Sequence, residues 1–516
     1  MSLSSLLAKP FKSPARCLIA SLLRSRQRWK EKYQRCREQH RELQKQLDQS
    51  NTQSQKSLQR LRQCQAEKQA LLERLSQASL QQQWPRLAGH QFSPEMIALG
   101  CQMAAIVGYR AAPKALKLVN DTLALNLKIP SRDALRNWTC RCGVAMLEHE
   151  KADDWIWMID HSVQLGKMNV LVVLGIRQSQ LPYRQDPSSR PLRHEDLHVL
   201  AVLPSHSKSK EQVIADLQPL SERLGTPLAV VCDGASELRA AVESLQNTDP
   251  TPAEEASRSG PVHLVDVKHK IASGLKRLLA GDQVFEDFSK RTGQCAAWIR
   301  QTELDHLVPP TRKDKCRFMN IHREIRWARM VLRQLDQKAD CNDAFSVRLR
   351  EKLGWLVEFR QSIEHWQQWC RLIGTTLRLS NRYGVYRGGS AELRSRLESL
   401  AVDREACEGV WRLVIDAYGD NEQKLLGMPS TVDCLPGSTE MLESIFGSYK
   451  AMQGHHNRGT FTTLLAALPT LVQRFSASSV RDHLTRVSNK DLQAWLVQHG
   501  LKDSTQSRRT IAYAGV

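Results

Sequence analysis

The sequence predicts an α/β core built on one mixed five-stranded sheet, carrying a large all-α insertion and preceded by two helical segments. Three observations predict it. Between 151 and 275, short apolar runs and amphipathic runs follow one another as three strands, a helix, a strand, a helix and a strand. From 276 to 436 the strand-like runs stop, and helical periodicity takes over with Trp298, Trp327, Trp355, Trp366, Trp369 and Trp411. Ahead of both, residues 22–80 are polar with apolar residues at heptad spacing.

The 516 residues suffice for about three ordinary domains. The net charge is +20, which points to a polyanionic partner, most often nucleic acid. Residues 1–80 hold 17 Lys and Arg against 6 Asp and Glu, a net +11. No run of 18 apolar residues exists, so no membrane span is expected. The N-terminal apolar patch is too short and too interrupted by charge for a secretory signal. Thirteen scattered cysteines make no disulfide framework and suit a reducing cytosol. Cys140 and Cys142 are one residue apart, not a usual zinc spacing, and read as helix residues.

Segment 1–80 comprises a basic start and a coiled-coil helix. Trp29, Tyr33, Cys36, His40, Leu43 and Leu47 form one seam, "DQSNTQSQKS" breaks it, and Leu58 and Leu61 begin a second that runs through Leu72 and Leu75. Self-association as a homodimer or higher oligomer is the expected use; a single helix lying on the protein is the alternative. Residues 81–150 read as a helix-turn-helix-like DNA-binding domain. Ser93 and Pro94 start one helix, "APKALKLVNDTLAL" is a second, and Ser131 caps a third. Arg132, Arg136 and Arg141 would make the third the reading helix; a plain three-helix bundle is the alternative.

In 151–275, "DWIWMID", "MNVLVVLGIR", "LHVLAVLP", "PLAVVCDG" and "VHLVDV" are the strands, with helices over "SKEQVIADLQPLSERLG" and "ASELRAAVESL". Within the insertion 276–436, "NRYGVYRGGS" is a Gly-rich interruption. Residues 437–500 return to the core with the capped helix "GSTEMLESIFGSYKAMQG" and further helices, and 501–516 are a tail.

Asp160 ends the first predicted strand and Asp233 the fourth. Side by side, the two carboxylates would emerge at one edge and repel unless divalent cations neutralise them. Two Mg²⁺, or Mn²⁺, roughly 4 Å apart suit hard carboxylate oxygens and an in-line phosphoryl displacement. An Asp at a strand end also serves as a turn former or cap, and Asp233 before Gly234 could do only that.

Three strands, a helix, a strand with its Asp, a helix and a fifth strand is the RNase H-like order. With it, the motifs "MIDHS", "VVCDGASEL", "VHLVDVKHKIASGLK" and "STEMLESIFGSYK" resemble those of the DDE transposases of bacterial insertion sequences, over about 151–465. The resemblance implies an RNase H-like catalytic core with a third carboxylate on a late helix. Glu443 and Glu440 compete for that role. Glu440 sits in the first turn, where it could serve the helix terminus. Glu443 lies one turn deeper and precedes Ile445, Phe446 and Lys450, which favours it. The 210 residues between Asp233 and Glu443 require an inserted domain, such as several transposase groups carry, hAT elements among them.

The resemblance further implies double-stranded DNA as partner, both as element ends and as target, and a bacterial cytoplasmic, nucleoid-associated location. It places a His near the active centre, for which His269, with Asp266 beside it, is the candidate; Asp266 as a helix cap with His269 packed on it is the alternative. Lys450 and "HHNRGT" could meet DNA phosphates. Arg317, Arg323, Arg326 and Arg329 with Trp327 could hold a backbone and stack a displaced base, unless Trp327 is core.

Overall fold

The computed structural model describes residues 15–77, 85–165, 168–183, 188–245, 260–311, 318, 320–454, 462–501 and 513. Residues 1–14, Arg317, "HHNRGT" (455–460) and most of the tail lie outside the described residues. The chain forms two units, Met1–Trp84 and Pro85–Val516.

The described residues of the first unit form one helix, α1 (Ala15–Gln77), about 95 Å long. The polar stretch 48–57 interrupts the apolar seam but not the helix. That stretch has no Gly or Pro, and its Gln, Ser and Lys residues cost a helix little. Gln27 donates to Glu31, Thr52 to the Asp48 carbonyl and Gln63 to Glu67. Trp29, Tyr33, Leu43, Leu47, Leu58 and Leu61 are all exposed.

The second unit opens with α2 (Pro94–Val107), α3 (Ala112–Thr122) and α4 (Arg132–Ala145). Ser93 Oγ accepts from Met96 N and Ser131 Oγ from Ala134 N, so both sequence-read caps form. The sheet follows: β1 (Trp155–Leu165), β2 (Met168–Arg177), β3 (His198–Ser205), α5 (Lys210–Leu224), β4 (Ala229–Cys232), α6 (Ser236–Ser244) and β5 (Val262–Val265). Its strand order is β3-β2-β1-β4-β5. β1 pairs with β2, and β2 with β3, antiparallel; β1–β4 and β4–β5 are parallel. Trp155, Trp157, Ile159, Leu171 and Val173 fill one face under α5 and α6. Ile156, Met158, Val170, Val172 and Leu174 fill the other, continuous with the helical core. Burial on both faces explains why these strands read as unbroken apolar runs.

Then come α7 (Val267–Leu278), α8 (Gln283–Ile299), α9 (Ile321–Gln337), α10 (Ala344–Leu353), α11 (Arg360–Tyr383), α12 (Gly389–Glu398) and α13 (Glu408–Leu426). The insertion is not purely helical: β6 (Val385–Tyr386) and β7 (Cys434–Leu435) form a short antiparallel pair across its base. The chain ends with α14 (Glu440–Gly454), a 3₁₀ segment (Thr462–Leu471), α15 (Ala477–Arg486) and α16 (Asn489–Gln498). A mostly helical chain around a five-stranded mixed sheet is compatible with an RNase H-like core plus a helical insertion.

Helix α4 is not an exposed reading element. It packs against α2, the 3₁₀ segment, α15 and α16, and Leu135, Trp138, Thr139, Cys140 and Cys142 are buried. Arg141 is 7% exposed; its Nε donates to the Val487 carbonyl and its Nη2 to the Leu484 carbonyl, both at 2.8 Å. A guanidinium so held stitches the C-terminus of α15 to α4 and has no face left for DNA. Among the described residues, no helix is long and apolar enough to cross a membrane.

Candidate active site

The parallel register pairs Met158 with Val231, so two residues farther along Asp160 stands beside Asp233. Asp160 does not end its strand, as the sequence suggested. β1 continues to Leu165 after an irregularity between Asp160 and Val163, where the pairing with β2 shifts. A bulge of this kind re-aims side chains at a sheet edge. β4 does end, at Cys232, and Asp233 Oδ1 accepts from Ala235 N at 2.9 Å, an Asx turn into α6. Gly234 turns that corner at φ +85°, with Val265 Cγ1 3.1 Å from where a Cβ would stand.

Burial, then the Asp233 charge, pushes the Asp160 carboxyl up to about 6, and Glu443 adds to the rise. The backbone N–H of His161 and the charge of His269 oppose it. Asp160, Asp233, Glu443 and His269 thus share one electrostatic site.

Helix α7 supplies the basic side. Asp266, 1% exposed, caps α7 through Oδ1, accepting from His269 N at 2.8 Å. Its Oδ2 accepts from Thr439 N (2.5 Å), Thr439 Oγ1 (2.8 Å) and Ser438 Oγ (3.2 Å), all just before α14. Burial would raise this carboxyl, but His269 and the bonds from Thr439 hold it at about 2. His269 Nδ1 lies 3.3 Å from Asp266 Oδ1, and Nε2 lies 3.8 Å from Glu443 Oε1. Burial works against the imidazolium, yet Asp266 first, then Glu443 and Asp233, raise its pKa above the ordinary histidine value. Asp266 thus caps the helix, one of the two sequence readings, and its carboxylate also faces the His269 ring as an ion-pair partner.

α14 packs against β1 and delivers both glutamates. Glu443 faces Lys268 Nζ at 3.3 Å through Oε2 and His269 through Oε1. Glu440 turns away, to Lys268 Nζ at 2.9 Å and to Asn381 Nδ2 at 2.9 Å on α11. Lys268 and Asn381 escaped the sequence reading. Lys268 lies within "VHLVDVKHKIASGLK", and only the fold shows that it bridges the two glutamates.

The remaining sequence-read residues lie elsewhere. Arg132 is exposed and pairs with Asp133, and Arg136 is exposed. Arg323 and Arg326 are exposed on α9, whereas Trp327 is buried and donates Nε1–H to the Leu307 carbonyl at 2.7 Å. That ring is core and is not free to stack on a base. Lys450 is exposed, two turns beyond Glu443.

No family model matches the sequence, and no curated protein matches it. Among solved structures, it is similar to the Drosophila P element transposase strand transfer complex. That likeness spans 80% of this chain and 100% of the other, at 12% identity and a TM-score of 0.40.

Among the described residues, no group of three or more His, Cys, Asp and Glu side chains is already arranged to hold a metal ion. The donor chemistry nevertheless fits hard divalent cations. Asp160 and Asp233 offer carboxylate oxygens whose mutual repulsion a cation would relieve, and Glu443 would bring a third carboxylate once released from Lys268.

Proposed function

We propose that this chain is a DNA transposase of the DDE type with an RNase H-like catalytic core, whose acidic set is Asp160, Asp233 and Glu443. One observation carries the reading. Two carboxylates from adjacent parallel strands sit so close that Asp233 raises Asp160, and a glutamate 210 residues later reaches the same place. A carboxyl raised by burial and by a neighbouring acid at a sheet edge supports a functional site there.

The three carboxylates would hold two Mg²⁺ or Mn²⁺. Such ions, when bound, activate the attacking oxygen and stabilise the leaving one in phosphodiester hydrolysis and strand transfer. The chain's own contribution is positional. Asp266 anchors α7 to the start of α14, His269 steers Glu443 Oε1, and Lys268 holds both glutamates until substrate and ions compete for them. The substrates are double-stranded element ends, cut at the 3′ side, and target DNA, to which the freed 3′-OH is joined. Pairing through α1 would let two protomers process both ends.

The test uses purified full-length protein, Mg²⁺ and a duplex carrying the DNA that flanks its own gene. Asp160→Asn, Asp233→Asn and Glu443→Gln are each expected to lower cleavage and joining by about 10³-fold or more. Glu440→Gln should stay within about tenfold of the parent, since Glu440 faces Asn381 and Lys268. Undiminished strand transfer by Asp160→Asn would sink the assignment. The Lys268–Glu443 ion pair favours a second reading, a DNA-binding protein without catalysis, because it occupies oxygens that a metal would need. That reading expects duplex binding with no product under any divalent ion.

A further inference from the structure

Beside the carboxylates, a cleft of about 910 Å³ runs between α7, α9 and α11, with Lys268 and Glu440 at the boundary it shares with the acidic site. Its charge is one-sided. Arg326, Arg329 and Arg333 on α9 line one wall, and Arg371 and Arg378 on α11 line the other. Glu440 is the one carboxylate among the described lining residues. None of these five arginines has an ion-pair partner among the described residues, although the same helices pair Arg360 with Asp336. The field is felt inside the cleft: burial, then Arg326, Arg323 and Lys268, lowers the pKa of His322.

The spacing says what such a field suits. Residues 326, 329 and 333, and likewise 371 and 378, lie on one face of their helices, each stripe spanning about 10 Å. Gly374 between Arg371 and Arg378 adds no side chain to that wall. Over that length an unpaired strand presents about two phosphates, more widely spaced than the rise of a duplex. A compact anion would instead need its donors converging on one point. The floor is apolar: Ile271, Leu275 and Ile321 are buried beneath it, and half-buried Phe318 offers a ring on which an unpaired base can stack. The volume is that of a small-ligand site, too small for a duplex.

We propose that the cleft between α9 and α11 binds a single strand of nucleic acid, its phosphates along the two arginine stripes and its bases on the apolar floor. The inference deepens the proposed function and rests on it only for the strand's identity, the unpaired DNA next to the bond being cut. Glu440, held by Asn381 and Lys268, marks where that strand would pass from the cleft to the acidic site.

Fluorescence anisotropy of the full chain with a labelled 12-nucleotide single strand tests it, against the triple variant Arg326→Ala/Arg333→Ala/Arg378→Ala. The expected result is an affinity about 30-fold weaker, with the slope of log K against log salt falling by about 2, or about 0.7 for each phosphate no longer neutralised. The matching triple Lys variant should recover most of the binding, and an unchanged thermal midpoint shows that the fold is kept. Arg333→Glu alone, at an exposed position, should weaken binding several-fold if the triple variant fails to fold. Parent-like affinity in these variants overturns the proposal. So does displacement of the strand by an unlabelled duplex or a nucleoside triphosphate at concentrations matching an unlabelled single strand. If the parent binds the strand through these arginines but never cuts DNA, the transposase reading fails and the cleft stands. If it cuts and joins while the arginine variants bind normally, only the cleft fails.

Discussion

Asp266 shows how one carboxylate couples two distant pieces of chain. Its oxygens hold the first turn of α7 and the residues before α14, 173 positions apart at Thr439. Its folded pKa, about 2, lies below the ordinary 3.8. A depressed carboxyl contributes stability that is fully present above about pH 4 and is lost as pH falls through 2. The difference corresponds to about 2 kcal/mol at neutral pH. Asp266→Asn should therefore lower urea stability by about 2–3 kcal/mol at pH 7, since it also leaves a buried Thr439 donor poorly matched. The gap between variant and parent should shrink between pH 4 and pH 2. A gap that is flat over that range would mean the carboxylate charge is not what holds α7 to α14.

At the scale of elements, α1 carries its own argument. Unbroken through Asp48–Ser57, it keeps a single phase. Continuing the 4,3 spacing from Leu47 reaches Ser50, Ser54 and Ser57, and then Leu61, Cys64, Lys68, Leu71 and Leu75. The seam is thus continuous with a polar middle, a pattern that fixes register at some cost in stability. A helix with its apolar seam exposed gains stability by pairing, which buries that seam. Leu43→Asp/Leu47→Asp should shift the full chain from dimer or higher oligomer to monomer in sedimentation velocity at micromolar concentration. A parent that sediments as a monomer removes the coiled-coil role altogether.

Within the second unit, α2 and α4 share one core with the 3₁₀ segment and α15. Gly143 on α4 lies where a Cβ would stand 1.9 Å from the Ala466 carbonyl oxygen. Backbone meets backbone there, so nothing flexible can yield. Gly143→Ala should cost about 2–3 kcal/mol and lower the thermal midpoint of the second unit by several degrees. A neutral effect would show that 85–150 are not locked to 462–471. The same packing explains why Arg141 is spent on the Leu484 and Val487 carbonyls. It leaves the exposed Arg132 and Arg136 as the only residues of the predicted reading set still facing solvent.

Local chemistry makes much of this legible in the sequence. Apolar runs mark the central strands because both sheet faces are buried there, Ser93 and Ser131 mark helix starts, and an aspartate after "WIWMI" and another after "LAVVC" stand out against their apolar surroundings. Helix α1 is visible as one long polar helix with heptad spacing, because a polar stretch without Gly or Pro weakens the seam without ending the helix. What no local pattern contains is which distant residues meet. Only the tertiary structure set Glu443 against His269 and Lys268, turned Glu440 to Asn381, spent Arg141 and Trp327 on internal carbonyls, and aligned the arginines of α9 and α11 along one cleft. The physical reason is range. Periodicity and capping act over a few residues, whereas burial, charge neutralisation and cleft shape depend on chain segments tens to hundreds of residues apart.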